Sequence, residues 1–460
     1  MNQKVVIPMA EQKAPKGQQY NFYTETKEIA YISPLAFLAV GQAKYDEEQV
    51  YWQSANEDLT IVGLGHAHVL MNEEADTRYD AIANRWQQLS QHVYKHEDDL
   101  APMLFGGFSF DPSHKRTSEW DAFPSAYFVV PTHQLVQKEH KTFIMTNVIT
   151  NNYDAEECLA RLKEERDALV EQALQYAEEE MPKPTIATTH ETEVDSYKAA
   201  VANTTRKIQA GEADKVVIAR SLHLMFEERV NTVTALAHIT KEQPKSYRFG
   251  IKRHGQLFFG ATPERLIEIK NGRAYSACVA GSIRRGKTEA EDRALGTTLL
   301  NDPKNLGEHQ YVVDMITKVF ASYCKDLQID DQPQLMKVRD IQHLFTPVAA
   351  TVREESNIFK FIQSLHPTPA LGGVPTSESL SIIREEEQMD RGYYAGPIGW
   401  VDTNGDGEFA VAIRSGLLDG KEAYLYAGGG IVADSNVESE YEETWVKFRP
   451  VLRALGGQLR

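Results

Sequence analysis

Residues Ser246–Gly281, SYRFGIKRHGQLFFGATPERLIEIKNGRAYSACVAG, read as two consecutive β-hairpins. The first turns at His254 and Gly255, the second at Asn271 and Gly272. An Asn-Gly pair between apolar runs is the strongest short hairpin signal, because both central residues must accept a positive φ. The segment therefore predicts antiparallel sheet, with Glu264 of GATPERL between the hairpins. Taken singly, Glu264 reads as a helix-start carboxylate.

Working outward, Val194–Ala210 reads as a helix closed by Gly211, and DKVVIARSLHLMF as a strand opened by Lys215. Downstream, helices are expected over Thr288–Leu300, over Lys304–Tyr323 and after Asn357, followed by strands GPIGWVD, GEFAVAIRSG and AYLYAGGGIV. Residues 20–150 alternate β-rich runs (IAYISPLAFLAVG, DLTIVGLGHAHVL, MLFGGFSFD, SAYFVVPTHQLV, KTFIMTNVI) around a helix at Thr77–Tyr94. A charged amphipathic helix follows over Ala155–Glu180, and MPKPTIATTHE has the prolines and small polar residues of a linker. The expected organisation is an N-terminal sheet-rich lobe, 1–185, ending in that helix and linker, and a second region, 186–460.

The stretch Gly428–Lys447, GGGIVADSNVESEYEETWVK, runs from a glycine cluster into dense carboxylates. Ser435 followed three residues later by Glu438 is a capping-box pattern, placing a helix start near Ser435. Glu440, Glu443 and Lys447 then share one face. Alone, this reads as an acidic first turn complementing the helix dipole. Other patterns are weaker. Gly63 and Gly65 begin a dinucleotide fingerprint whose third glycine position is His68. His66 and His68 lack a third metal ligand nearby. Asp402, Asn404, Asp406 and Gly407 resemble half a calcium loop, but Ile413 stands where the bidentate glutamate belongs, so a hairpin turn is favoured.

Across 460 residues, 49 basic against 66 acidic residues give a net charge of −17, which argues against nucleic-acid binding. No apolar run approaches bilayer-spanning length, and MNQKVVIPMAEQK lacks a signal-peptide core, so a cytoplasmic protein with no membrane partner is expected. Cys158, Cys278 and Cys324 are far apart, without a CxxC pair or a GxCxG nucleophile turn. Release of ammonia from glutamine by this chain is therefore not expected.

The ordered motifs DKVVIAR, FGATPERL, VAGSIRRG, GEHQYVV, IQHL, HPTPALGG, RGYYAGPIGW and the Gly428–Lys447 stretch resemble the chorismate-utilising enzymes. That group holds isochorismate synthase, salicylate synthase and the large subunits of anthranilate and aminodeoxychorismate synthase. The resemblance spans about Val194 to Lys447 and implies an α+β fold of two lobes, large antiparallel sheets packed as a central sandwich with helices outside. Residues 186–460 would then be the chorismate-binding catalytic region. FGGFSFD makes the N-terminal half look like that of long, menaquinone-type isochorismate synthases.

Within the family, Lys215 occupies a position typically glutamine in ammonia-using members, and resembles the water-using enzymes. Attack by water needs a base, which a desolvated lysine with a lowered pKa supplies. Ala280 stands where aminodeoxychorismate synthases often place a nucleophilic lysine, and EHQYVVDMI replaces the RNDLGR-like run of anthranilate synthases. Ala370 stands where salicylate and anthranilate synthases usually carry threonine, and Leu371 follows as in isochorismate synthases. The resemblance thus implies chorismate as substrate and isochorismate as product; salicylate synthase, or a siderophore-type isochorismate synthase, is the alternative. It implies Mg²⁺ held by Glu308 and Glu443, with Glu440 in support. It also implies Lys215 as base, Glu264 as acid and His343 orienting the leaving hydroxyl. Gly281, Ser282, Ala370, Leu371, Arg414, Tyr426, Gly428, Gly429, Gly430 and Lys447 are implied as substrate-binding. No glutamine amidotransferase partner is expected, and a monomer or homodimer is. A reading from another class is a non-catalytic calcium- or carboxylate-binding module built on the acidic loops.

Overall fold

The computed structural model describes residues 20–151, 154–177 and 181–458. The N-terminal MNQKVVIPMAEQK and Glu180, the expected end of the charged helix, lie outside the described residues. Within them the fold is α+β, with 21 strands and ten α-helices. The long strand pairings are antiparallel; Phe22–Tyr23 pairs in parallel with Val93–Tyr94. No helix among the described residues is long and apolar enough to cross a membrane.

The hydrogen-bonded ladder explains how distant segments meet. It runs from Lys215–Phe226 to Glu422–Ile431, Ser415–Asp419, Gln256–Thr262, Tyr247–Arg253, Glu48–Gln53, Leu59–Asn72 and Ala126–Lys138. From there it continues through Met103–Phe108, Pro397–Asp402, Gly407–Val411, Arg265–Lys270, Arg273–Arg284 and Ile341–Val352. The two ends are brought together in space. Lys215, on the first strand, is ion-paired with Glu308 of the helix Pro303–Tyr323. His309 on that helix is bonded to the Ala280 carbonyl near the far end, 3.0 Å away.

Both hairpins form with two-residue turns, Arg253 opposite Gln256 and Lys270 opposite Arg273. Their turn residues have positive φ: 47° and 80° at His254 and Gly255, 51° and 73° at Asn271 and Gly272. An aromatic cluster fills the main core. Trp120 meets Phe258 edge-on at 5.4 Å, and Phe108 meets Phe128 at 4.9 Å. Burying each such ring contributes about 1.5–3 kcal/mol.

Several local expectations change. Within IAYISPLAFLAVG the residues Pro34–Tyr45 form a helix: Pro34 occupies the first turn, and Phe37, Leu38 and Gly41 are buried on one side. The segment read as helix over Thr77–Tyr94 is a shorter helix, Arg78–Ser90, whose end leaves Val93–Tyr94 free to pair as a strand. Part of the expected linker, Ile186–Glu191, pairs with Leu222–Phe226. Helices Thr232–Glu242 and Thr376–Glu386 were not foreseen; the first is capped by Asn231, whose side chain accepts from Val233 N at 2.7 Å. The calcium-like loop is a hairpin turn in which Asp402 Oδ1 accepts from Asn404 N (2.9 Å) and Asp406 N (3.0 Å).

Candidate active site

Lys215 begins its strand and is 1 % exposed, because Val374 pairs with it and the 366–373 loop folds over the strand edge. Gly373 permits this contact: a Cβ there would lie 2.2 Å from the Lys215 carbonyl. The amine donates to Glu308 Oε1. Gly430 is required by the same close packing, since a Cβ on it would fall 2.6 Å from Lys215 Cε and 3.3 Å from Glu308 Oε1. Glu308 is held in place by its neighbour, for the buried His309 ring bridges Ala280 O (3.0 Å) and Thr346 Oγ1 (2.8 Å).

Glu264 follows the strand Gln256–Thr262 and is 6 % exposed. Burial raises its carboxyl to about 7, with Arg414 and Lys215 opposing through space. His343 shares Arg414 with it. Burial, then Arg414 and Lys447, push its imidazole down to about 3, so it is neutral, and Nε2 is buried without a hydrogen-bond partner. Arg414 adopts φ 51°, a strained setting for a non-glycine residue, and its carbonyl accepts from Ala261 N at 3.1 Å.

The acidic helix begins at Val437, and Asn436 is its cap, accepting from Ser439 N at 3.1 Å. Ser435 is diverted from capping: its hydroxyl accepts from Val432 N (3.1 Å) and donates to Glu440 Oε1 (2.7 Å). Glu440 lies beside Gly429, where a Cβ would sit 3.1 Å from Oε2, and burial raises its carboxyl. Glu443 is more open, its side chain 47 % exposed, and Lys447 in contact at 2.6 Å holds its carboxyl below the usual range. Lys447 also donates to Gly428 O at 2.7 Å, joining helix to strand. Glu308, Glu440 and Glu443 are thus each bonded to a protein donor. Among the described residues no three acidic, histidine or cysteine side chains are gathered as a metal-holding group.

Gly281, at φ 80°, forms a bulge opposite the continuous strand Ile341–Val352, after which Ser282 pairs with His343. Ser282 N donates to Asn305 Oδ1 at 3.2 Å. Ala370 and Leu371 lie on the loop covering the Lys215 strand: Arg391 donates to Leu371 O (3.0 Å) and to Val217 O (2.8 Å). Tyr426 shares a face with Gly428 and Gly430, and its ring stacks on Tyr394 at 5.4 Å and lies 5.7 Å from Trp120. The structure therefore gathers Lys215, Glu308, Gly430, Glu440, Glu443, Lys447, Arg414, Glu264 and His343 into one neighbourhood, with Ala370, Leu371 and Tyr426 on the elements packed beside it.

Three residues of this region were not singled out from the sequence. Tyr394 is buried, its hydroxyl pushed up to about 12, and it interacts with Arg414. Lys304 adds positive field at Glu440 and Glu443. Asn305 holds the Ser282 amide. RGYYAG and the helix expected from Lys304 were visible, but single polar residues there have ordinary explanations.

The chain resembles known proteins over nearly all its length. Residues 9–456 match the family model described as "Chorismate binding enzyme". Isochorismate synthase MenF of Bacillus subtilis is 41% identical over 444 residues, covering 95% of this chain and 93% of that protein. The salicylate biosynthesis isochorismate synthase of Pseudomonas aeruginosa is 34% identical over 435 residues, covering 93% and 90%. Among solved structures, the menaquinone-specific isochorismate synthase MenF of Escherichia coli superposes with a TM-score of 0.80 at 23% identity, covering 95% of each chain. This last likeness concerns the fold, whereas the family match extends across both ends of the sheet ladder, where the candidate site residues lie. The chain belongs to the chorismate binding enzyme family.

Proposed function

We propose that the chain is an isochorismate synthase, converting chorismate to isochorismate by adding water at C2 and losing the C4 hydroxyl. The observation that carries this reading is the proximity of a buried amine, Lys215, and a buried carboxyl, Glu264, which burial raises to about 7. A base and a separate acid are what the two ends of this reaction require. The name of the 41% identical relative supports the same reaction. We place the reaction in menaquinone biosynthesis, since that relative shares its MenF name with the menaquinone-specific structure.

Lys215 takes a proton from water as its oxygen bonds to C2; the ring double bonds shift, the C4–O bond breaks, and Glu264 gives its proton to the departing hydroxyl. One water enters and one leaves, so the reaction is an isomerisation. Lys215 is bonded to Glu308 in this conformation, and becomes available to water when Glu308 takes another partner. His343, neutral and with an open Nε2, suits a hydrogen bond near the C4 hydroxyl. Arg414 and the amides of Gly428–Gly430 suit the enolpyruvyl carboxylate, the guanidinium by bidentate contact and the glycines by close approach.

Glu308, Glu443 and Glu440 would hold Mg²⁺. Their hard carboxylate oxygens, few enough to leave room for water and substrate, fit this ion, and the bonds they now make are to exchangeable protein donors. When bound, the ion supplies positive charge that lets the ring carboxylate of chorismate approach an acidic helix.

Product identification after incubation with chorismate and Mg²⁺ tests the reading. Isochorismate as sole product supports it. Salicylate with pyruvate would assign the pyruvate-eliminating chemistry instead, and an absence of turnover would remove the enzymatic reading.

A further inference from the structure

We infer that Arg220 is a positioning residue that fixes the rotational setting of the helix Val437–Ala454 and thereby the placement of Glu440, Glu443 and Lys447. It rests on the reading of those carboxylates as the metal site. Arg220 is 3 % exposed and sits five residues after Lys215 on the same strand, opposite Ala427, the neighbour of the glycine cluster. Its guanidinium lies within 4.6 Å of the Tyr441 ring centre, 5.0 Å of Phe448 and 5.3 Å of Trp445. Its Nε donates to Thr444 Oγ1 at 2.8 Å.

Tyr441, Thr444, Trp445 and Phe448 follow the i, i+3, i+4, i+7 spacing of one helix stripe, while Glu440, Glu443 and Lys447 form another stripe on the same turns. One buried cation thus grips the helix across two turns. Tyr441 completes the grip from outside, donating to Glu191 Oε2 at 2.5 Å, and Arg220 Nη1 meets the same oxygen at 3.4 Å.

The consequence is geometric. Side-chain ends lie about 6 Å from a helix axis, so a rotation of about 20° moves a carboxylate by about 2 Å. Metal sites tolerate only about 0.2 Å in ligand distance. The helix contains Pro450 and therefore lacks one internal backbone bond, so its own hydrogen bonds are not its sole restraint. A guanidinium among aromatic faces resists rotation in either sense, because any turn of the helix withdraws some ring from the cation. Arg220 thereby references the carboxylate stripe to the strand that bears Lys215.

The test compares Arg220→Met, Arg220→Lys and Thr444→Val with Glu443→Gln as reference. Mn²⁺ binding is measured by electron paramagnetic resonance without substrate, alongside thermal melting. The expectation is a loss of Mn²⁺ affinity of about tenfold for Arg220→Met, in the range seen for residues that orient metal ligands, and smaller losses for the other two. These losses should persist at temperatures far below each variant's melting point, and the Mg²⁺ concentration giving half-maximal rate should rise in parallel. Should Arg220→Met fail to fold, Arg220→Lys and Thr444→Val carry the same readout. If Glu443→Gln abolishes Mn²⁺ binding while every Arg220 and Thr444 variant that folds binds as wild type, Arg220 is only a packing residue and the inference is overturned. Wild-type Mn²⁺ binding by Glu443→Gln would overturn the metal reading itself, and this inference with it.

Discussion

Glu264 and Glu443 are the same side chain in opposite circumstances, although Arg414 acts on both. Glu264 is enclosed, no cation touches it among the described residues, and burial raises its carboxyl to about 7. Glu443 stands on a helix face open to solvent, with Lys447 at 2.6 Å, and its carboxyl is lowered. The environment rather than the residue type separates a proton donor from a permanent anion. It is the burial of one and the pairing of the other that suit them to acid and ligand roles.

The comparison can be broken most sharply at the groups around it. Lys215→Ala should lower kcat by about 10²–10⁴-fold, the usual contribution of a positioned base, while circular dichroism shows a folded protein. A near-normal rate would mean that water is activated elsewhere. Glu264→Gln should cost about as much in kcat, yet leave Mn²⁺ binding intact, whereas Glu443→Gln should do the reverse in binding. Equal effects of the two substitutions on metal binding would erase the distinction.

The pH dependence follows from the same contrast. Glu264 acts in its protonated form, so activity should fall as pH rises through about 7, or higher once a dianionic substrate adds negative charge beside it. Stability should decline in the same direction of pH. In the unfolded chain Glu264 ionises near 4.5, but in the folded chain near 7. Below 4.5 both states hold the proton; the folded state is increasingly penalised between those values and fully penalised above 7. Glu264→Gln should therefore stabilise the protein by about 1–3 kcal/mol at pH 8 and by little at pH 4, as read from denaturant titrations. Equal melting behaviour at pH 8 would show that the carboxyl is not strained by burial.

The smallest effect belongs to the helix that carries Glu443. Asn436→Ala removes its cap and should cost about 1 kcal/mol of stability, while Ser435→Ala leaves the cap intact and instead frees Glu440.

The antiparallel hairpins were legible because Asn271-Gly272 and His254-Gly255 announce turns locally, and the structure closes both as two-residue loops. The helix Pro34–Tyr45 was not, since PLAFLAVG is apolar on most sides and lacks a clear period. The cap was misread by one residue because Ser435 and Asn436 are both good capping residues; only the position of Glu440 decides which is diverted. Lys215, Glu264 and Glu308 could be named from motif resemblance. Their convergence could not be derived locally, because it depends on the two ends of the ladder meeting across the fold. Arg220 was invisible for the same reason: in DKVVIAR it is one strand residue, and the helix residues it grips lie more than 200 positions away.

Turnover in ¹⁸O-labelled water tests the central claim most directly. The account predicts isochorismate carrying one ¹⁸O at C2, formed by the wild type and lost in Lys215→Ala. Isochorismate with unlabelled oxygen at C2 would contradict it, since the hydroxyl would then have migrated from C4 rather than come from water activated by Lys215.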